Sequence, residues 1–321
     1  MAQALYIHWP FCAKKCPYCD FNSHVRERVD VAAWETALLA DMRAEAEVAC
    51  GERLTSVFFG GGTPSLMPPA LVERLLDEAQ LLWGFDPAIE ITLEANPSSV
   101  EAANFAELSG AGVNRVSLGV QSLDDATLQW LGRLHSADEA LQALETAQGS
   151  FDRVTFDLIY ALPDQTPEQW ETQLRRALDF DTGHLSLYQL TIEPGTRFAT
   201  DVRTGKFSPL DDDAAAELFA MTQDLTAAAG LPAYETSNHA RPGEESRHNL
   251  TYWRYRDSVG IGPGAHGRRS FAGGGFATVR HKKPERYLKA VEERGHGIAE
   301  QRMLGSREQV AEALMMGLRL T

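Results

Sequence analysis

Apolar and polar positions along the chain fall into alternating blocks. A short apolar run at residues 4–9 reads as a buried strand, and residues 31–48 carry Trp34, Leu38 and Met42 at helical spacing. The alternation then repeats. Strand-length apolar runs at 56–59, 89–94, 115–120, 154–160 and 185–190 are separated by helical patterns at 69–82, 100–109, from 124, from 137 and at 167–178. Six strand–helix steps of this kind predict an α/β fold, a parallel sheet with helices outside it. In such sheets ligand chemistry gathers at the C-terminal ends of the strands.

After residue 196 the pattern changes. A helix is expected at 213–229 and a short strand at 232–235, and from about Ser237 the chain turns polar and glycine-rich. The expected division is therefore 1–236 as a core and 237–321 as a smaller C-terminal α/β domain. Two further helices are expected at 284–294 and 307–318, the last amphipathic through Val310, Leu314, Met315 and Leu318. No cap or glycine follows it, so the C-terminal domain reads as incomplete.

Composition narrows the class. Of 321 residues 44 % are apolar, enough for a full core, and the net charge is −15. That balance argues against a nucleic-acid binder, which needs a basic face. No apolar run reaches the roughly 20 residues of a membrane helix. Met1-Ala2-Gln3 runs straight into a strand with no signal peptide, so a reducing cytoplasm is expected.

Three of the four cysteines, Cys12, Cys16 and Cys19, crowd onto the loop leaving the first strand, in the order C-x3-C-x2-C. An odd cluster of thiols cannot pair internally, and thiolates this close repel unless a cation shares them. Zinc and an iron–sulfur cluster are the two readings. Zinc would need a fourth ligand from His8, His24 or Cys50, whereas a 4Fe-4S cube held by three cysteines keeps one iron open. One strand–helix unit later comes Gly60-Gly61-Gly62-Thr63-Pro64, where missing side chains leave backbone groups free to meet a ligand. Glu94 and Gln121 end later strands, Arg133 lies in a loop, and Asp157 sits among apolar neighbours inside a strand. An inward Asp157 needs a partner, and Arg115 or Arg133 would serve as an ion pair. The run Arg247-His248-Asn249-Leu250-Thr251-Tyr252-Trp253 offers an imidazole and two flat aromatic faces. His8, His184, His239, His266 and His281 are further imidazoles. Arg268, Arg269, Arg280, His281, Lys282 and Lys283 form a local basic cluster.

The cysteine spacing resembles that of the radical S-adenosylmethionine (SAM) superfamily. The longer run Y-I-H-W-P-F-C-A-K-K-C-P-Y-C-D-F resembles the oxygen-independent coproporphyrinogen III oxidase group. Those oxidases carry another cysteine two positions after the third; here it is Phe21, as in the group's haem-chaperone branch, which also displays H-N-x-x-Y-W. The resemblance implies a partial (β/α)6 barrel with a 4Fe-4S cluster on Cys12, Cys16 and Cys19. It implies SAM held by Tyr6, Tyr18, Gly61, Gly62, Thr63, Glu94, Gln121, Arg133 and Asp157, and haem contacts at His248, Asn249, Tyr252 and Trp253. It further implies haem delivery to acceptor proteins, membrane-bound respiratory subunits among them, by a cytoplasmic protein that can dimerise and associate with the inner face of the membrane. An oxidative decarboxylase of a tetrapyrrole and a zinc-stabilised binding module are the alternatives.

Overall fold

A computed structural model describes residues 3–49, 53–271 and 274–321. Cys50, the distant thiol considered above, lies outside the described residues. Six parallel strands follow the predicted order: β1 (Ala4–Trp9), β4 (Leu54–Gly61), β5 (Phe85–Ala95), β6 (Arg115–Gln121), β7 (Arg153–Tyr160) and β8 (His184–Gln189). The short β2 (Phe11–Cys12) and β3 (His24–Val25) pair with each other on either side of the cysteine loop. Helices α1 (Val31–Ala46), α2 (Pro69–Trp83), α3 (Ser99–Ala102), α4 (Phe105–Gly110), α5 (Asp125–Trp130), α6 (Ala137–Ser150) and α7 (Pro167–Leu178) fill the crossovers. The helix expected at 100–109 is two short helices with a break at Ala103 and Asn104.

Side chains alternate along each strand, and the two sets have different fates. Leu5, Ile7, Trp9, Val57, Phe59, Ile91, Leu93, Val116, Leu118, Val154 and Phe156 are buried in one core with Trp34, Leu38 and Met42 of α1. Trp9 and Trp34 meet edge to face, their ring centres 5.9 Å apart. The alternate positions are polar: Tyr6, His8, Ser56, Glu90, Thr92, Glu94, Arg115, Ser117, Thr155 and Asp157. This is the inner surface of the partial barrel, and its upper end carries the site.

The C-terminal part holds more strands than its composition predicts. Beyond α8 (Arg197–Arg203) and α9 (Asp212–Ala228), β9 (Ala233–Glu235) and β10 (Asn238–Ala240) extend the sheet past β8. After α10 (Arg247–Trp253), β11 (Ser258–Ile261) enters parallel to β1 on its free side, and β12 (His266–Phe271), β13 (Gly274–Arg280) and β14 (Ile298–Leu304) continue outward antiparallel. The result is one sheet of 12 strands, β14-β13-β12-β11-β1-β4-β5-β6-β7-β8-β10-β9. β14 is exposed at five successive positions, 299–303, three of them the charged or polar Glu300, Gln301 and Arg302, and so escapes an apolar-run reading.

Buried ion pairs lock this extension to α1. Asp41 accepts from Tyr287 Oη at 2.9 Å and Gly297 N at 2.9 Å, and Arg280 lies between Asp41 and Glu45, with its Nε 3.4 Å from Asp41. Arg269 joins Glu45 at 3.2 Å. The expected basic cluster is therefore partly spent: Arg269 and Arg280 are buried against carboxylates, and Arg268 pairs with Glu312 at 2.9 Å. Helices α11 (Pro284–Arg294) and α12 (Ser306–Gly317) form at the predicted places. The apolar stripe of the last helix is exposed at Val310, Leu314, Met315 and Leu318. Among the described residues no helix is long and apolar enough to cross a membrane.

Candidate functional site

A cavity of about 440 Å³ opens at the C-terminal ends of β4 to β7. Cys12, Cys16 and Cys19 line it as free thiols, together with Tyr18, Gly61, Gly62, Thr63, Glu94, Gln121, Arg133 and Asp157. The structure thus brings together every residue of the cysteine and SAM readings except Tyr6. That ring is turned toward His8, whose Nδ1 lies 2.9 Å from Tyr6 Oη. His8 Nε2 is 2.9 Å from the carbonyl of Asn22, which can only accept. Nε2 therefore carries the proton, and Nδ1 accepts from the Tyr6 hydroxyl. Burial holds His8 at a pKa of about 4, so it stays neutral. With both nitrogens engaged, His8 is a brace for the cysteine loop and not a fourth metal ligand.

Asn22 fastens that loop from the other side. Its Nδ2 donates to the carbonyls of Pro263 at 2.8 Å and Lys282 at 2.9 Å. A Cβ on Gly264 would sit 2.8 Å from the same nitrogen, so only glycine leaves room for the contact. The glycine-rich stretch between β11 and β12 is thus a seat for the cysteine loop.

The triple glycine also works differently from expectation. The N–H groups of Gly61, Gly62 and Thr63 are already taken, by Glu94 Oε2 at 3.2 Å, Trp9 O at 2.7 Å and Phe11 O at 2.8 Å. A Cβ on Gly60 would meet the Tyr6 ring at 2.8 Å, and one on Gly62 would meet the Phe11 carbonyl at 2.6 Å. These glycines let β4 lie against the strand and loop that carry the cysteines.

Arg133 is the hub of the cavity floor. Its Nη2 donates to Asn96 Oδ1 at 2.6 Å and Gly119 O at 2.7 Å, while Nη1 reaches Cys16 Sγ at 3.6 Å. Its Nε is buried without a partner. Thr63 Oγ1 points at Cys12 Sγ from 3.5 Å. Burial pushes the Cys12 and Cys19 thiols up, so nearby donors and a cation are needed to hold them as thiolates. The donor set suits a cuboidal iron–sulfur cluster: three soft ligands on one loop, a guanidinium beside one sulfur and a hydroxyl beside another. Among the described residues no three ligands close on a single ion, and separate corners of a cube do not require them to.

Two carboxyls face this cationic floor. Burial and the charge of Asp157 raise Glu94 to about 7, while burial raises Asp157 to about 6. Asp157 takes a hydrogen bond from Ser117 at 3.3 Å rather than forming the ion pair expected with Arg115 or Arg133. Arg115 instead lies 4.0 Å from Glu90. Gln121 follows an irregularity in the β6–β7 register and has φ +69°, a backbone twist few residues adopt without cause. Asn96, Glu101, Ser117 and His135 also line the cavity. The sequence reading passed over them; Asn96 and Glu101, flanking Pro97 just after β5, were within reach of a strand-end argument.

The H-N-x-x-Y-W run lies at the opposite end of the barrel. Glu90, at the N-terminal half of β5, accepts from the backbone N–H of Arg247 and of His248, each at 3.2 Å. His248 is 2 % exposed, with Nδ1 3.0 Å from Ser56 Oγ and Nε2 3.0 Å from Tyr252 Oη. Its pKa falls to about 3 through burial. Neither nitrogen is free for haem iron as placed, and Trp253 is covered by the Arg319 guanidinium 4.5 Å above its ring. Asn249 caps against Ser246 Oγ through its N–H at 3.3 Å. Of the other imidazoles, His184 and His239 are buried, His266 is exposed and His281 is intermediate.

Residues 6–177 match the radical SAM superfamily. The chain belongs to that superfamily. Within it, the chain is 40 % identical over 322 residues to the heme chaperone HemW of Escherichia coli, a match covering 99 % of this chain and 82 % of the relative. It is 43 % identical to the mouse radical S-adenosyl methionine domain-containing protein 1, mitochondrial, covering 98 % and 73 %. These matches place it in the HemW branch of the radical SAM proteins. Its fold matches the coproporphyrinogen III oxidase HemN from E. coli at a TM-score of 0.82 and 23 % identity, over 99 % of this chain and 76 % of that one. Radical SAM membership implies a 4Fe-4S cluster and SAM, and the cavity holds the residues suited to both.

Proposed function

We propose that this protein is a haem chaperone, which binds haem and hands it to acceptor proteins, with a 4Fe-4S cluster and SAM in the barrel cavity. One observation carries the reading: Phe21 stands exposed on the cavity rim, at the position where the coproporphyrinogen-oxidising relatives place a further cysteine. HemW proteins matched over nearly the whole chain support it. Cys12, Cys16 and Cys19 would hold three corners of the cluster. Arg133 and Thr63 would steady two of the sulfurs, and Glu94, Gln121, Asp157, Tyr18, Gly61 and Gly62 would line the SAM site. When bound, a reduced cluster would supply the electron that splits SAM; for haem transfer it would order the protein or its dimer. Tyr6 acts through His8 as a positioning residue. We further propose a cytoplasmic location, a homodimer, membrane-associated acceptors, and the division of the chain at 236/237.

The test has two arms. Anaerobically reconstituted protein is loaded with haem and mixed with an apo-acceptor; transfer of the Soret band to the acceptor is expected. The same protein is given coproporphyrinogen III and SAM under reducing conditions. Appearance of protoporphyrinogen would replace the chaperone by the decarboxylase. Cys16→Ser is expected to abolish the brown charge-transfer absorbance that marks the cluster. Iron and sulfide content unchanged by that substitution would remove the ligand assignment, and zinc in their place would favour a binding module.

A further inference from the structure

Four large apolar side chains stand exposed around one opening. Phe21 of the cysteine loop is 59 % exposed, Leu66 after β4 is 41 %, Val100 of α3 is 74 % and Leu134 after α5 is 67 %, and all four line the cavity. They come from four separate segments, so no single amphipathic helix accounts for them. A contiguous apolar patch with a polar rim marks a binding surface. Lys14 and Lys15 stand exposed at the same opening. Among the described residues neither meets a carboxylate; Lys15 only approaches the Phe21 carbonyl at 3.5 Å.

At the rim, the Lys14 and Lys15 ammonium groups attract a carboxylate-bearing ligand, on a chain whose net charge is otherwise −15. The ligand that satisfies both the apolar collar and these lysines is flat, apolar across its face and dianionic at one edge. We propose that the collar of Phe21, Leu66, Val100 and Leu134 is a haem platform: the macrocycle lies across the mouth of the cavity, with its propionates toward Lys14 and Lys15. This rests on the haem-chaperone reading and moves the haem away from the H-N-x-x-Y-W helix. There, His248 is buried with both nitrogens bonded. An aromatic ring at position 21 suits a porphyrin face, where a thiol would not.

Haem is titrated into the whole reconstituted chain and into two rim variants, Val100→Asp with Leu134→Asp, and Lys14→Glu with Lys15→Glu. Leu81→Asp, at an 80 % exposed position on α2 away from the cavity, is the control. The rim variants should weaken haem binding about tenfold, with iron content and Tm held, while the control matches the parent. Haem across the mouth should also slow SAM release from the parent and not from the rim variants. If the parent takes up no haem, the chaperone reading and the platform fall together. If the parent binds haem and the rim variants bind it equally well, only the platform falls. Equal haem affinity with slowed transfer would make the collar the docking face for acceptor proteins, and would overturn the platform too.

Discussion

Glu94 and Asp157 hold protons more tightly in the fold than in the unfolded chain, since their pKa values rise to about 7 and about 6. The folded state then binds more protons than the unfolded one between the two sets of values, so stability falls as pH rises from about 4 to 7. Glu94→Gln with Asp157→Asn should remove that slope. The apo-variant should gain about 1–2 kcal/mol over the parent at pH 7.5, with cavity water screening part of the effect, and nothing near pH 4; urea midpoints at the two pH values check it. At this scale the sequence was readable where chemistry is rare and opaque where it depends on direction. Three cysteines in one loop have few explanations, and all three line the cavity. The resemblance puts Tyr6 at SAM and His248 at haem. A sequence does not say that Tyr6 turns to His8, or that Ser56 and Tyr252 engage both nitrogens of the His248 imidazole.

Among the elements, α7 was predicted to the residue because its signals are local. Thr166 and Gln169 form a capping box, Pro167 opens the helix, and Trp170, Leu174 and Ala177 share a buried face. The strands after residue 237 lack such signals; β11 has four residues, all buried, and its partner β1 lies at the other end of the sequence. The seat of the cysteine loop is equally non-local. Asn22→Asp would set an acceptor against the Pro263 and Lys282 carbonyls in place of a donor. It should lower iron retained after reconstitution at least severalfold, with Asn22→Ala between it and the parent; iron per chain is the measurement. The lock between α1 and the C-terminal strands is tested by Asp41→Ala. Removing this carboxylate leaves Arg280, which is 1 % exposed, with Glu45 alone and takes the acceptor from Tyr287 Oη and Gly297 N; it should cost about 3–5 kcal/mol by chemical denaturation.

For the whole molecule, charge is the dominant uncompensated term. A net charge of −15 means long-range self-repulsion that salt screens. Tm should rise as sodium chloride goes from about 10 to 150 mM, where the Debye length shrinks from roughly 30 to 8 Å; a falling Tm would mean that exposed ion pairs such as Arg302–Glu308 outweigh the repulsion.

The place of β1 between β4 and β11 has a consequence for synthesis. Ala4 pairs with Ser56 on one side and Ser258 on the other. A ribosome adding about 5–20 residues per second takes on the order of ten to fifty seconds to travel from the first of these strands to the last. Throughout that interval the earliest-made strand keeps one bare edge, and its thiol loop has no Pro263 carbonyl to rest on. Metal loading is thereby deferred until residues 258–263 have been made, and a nascent chain stalled before residue 258 should emerge from the cell without iron.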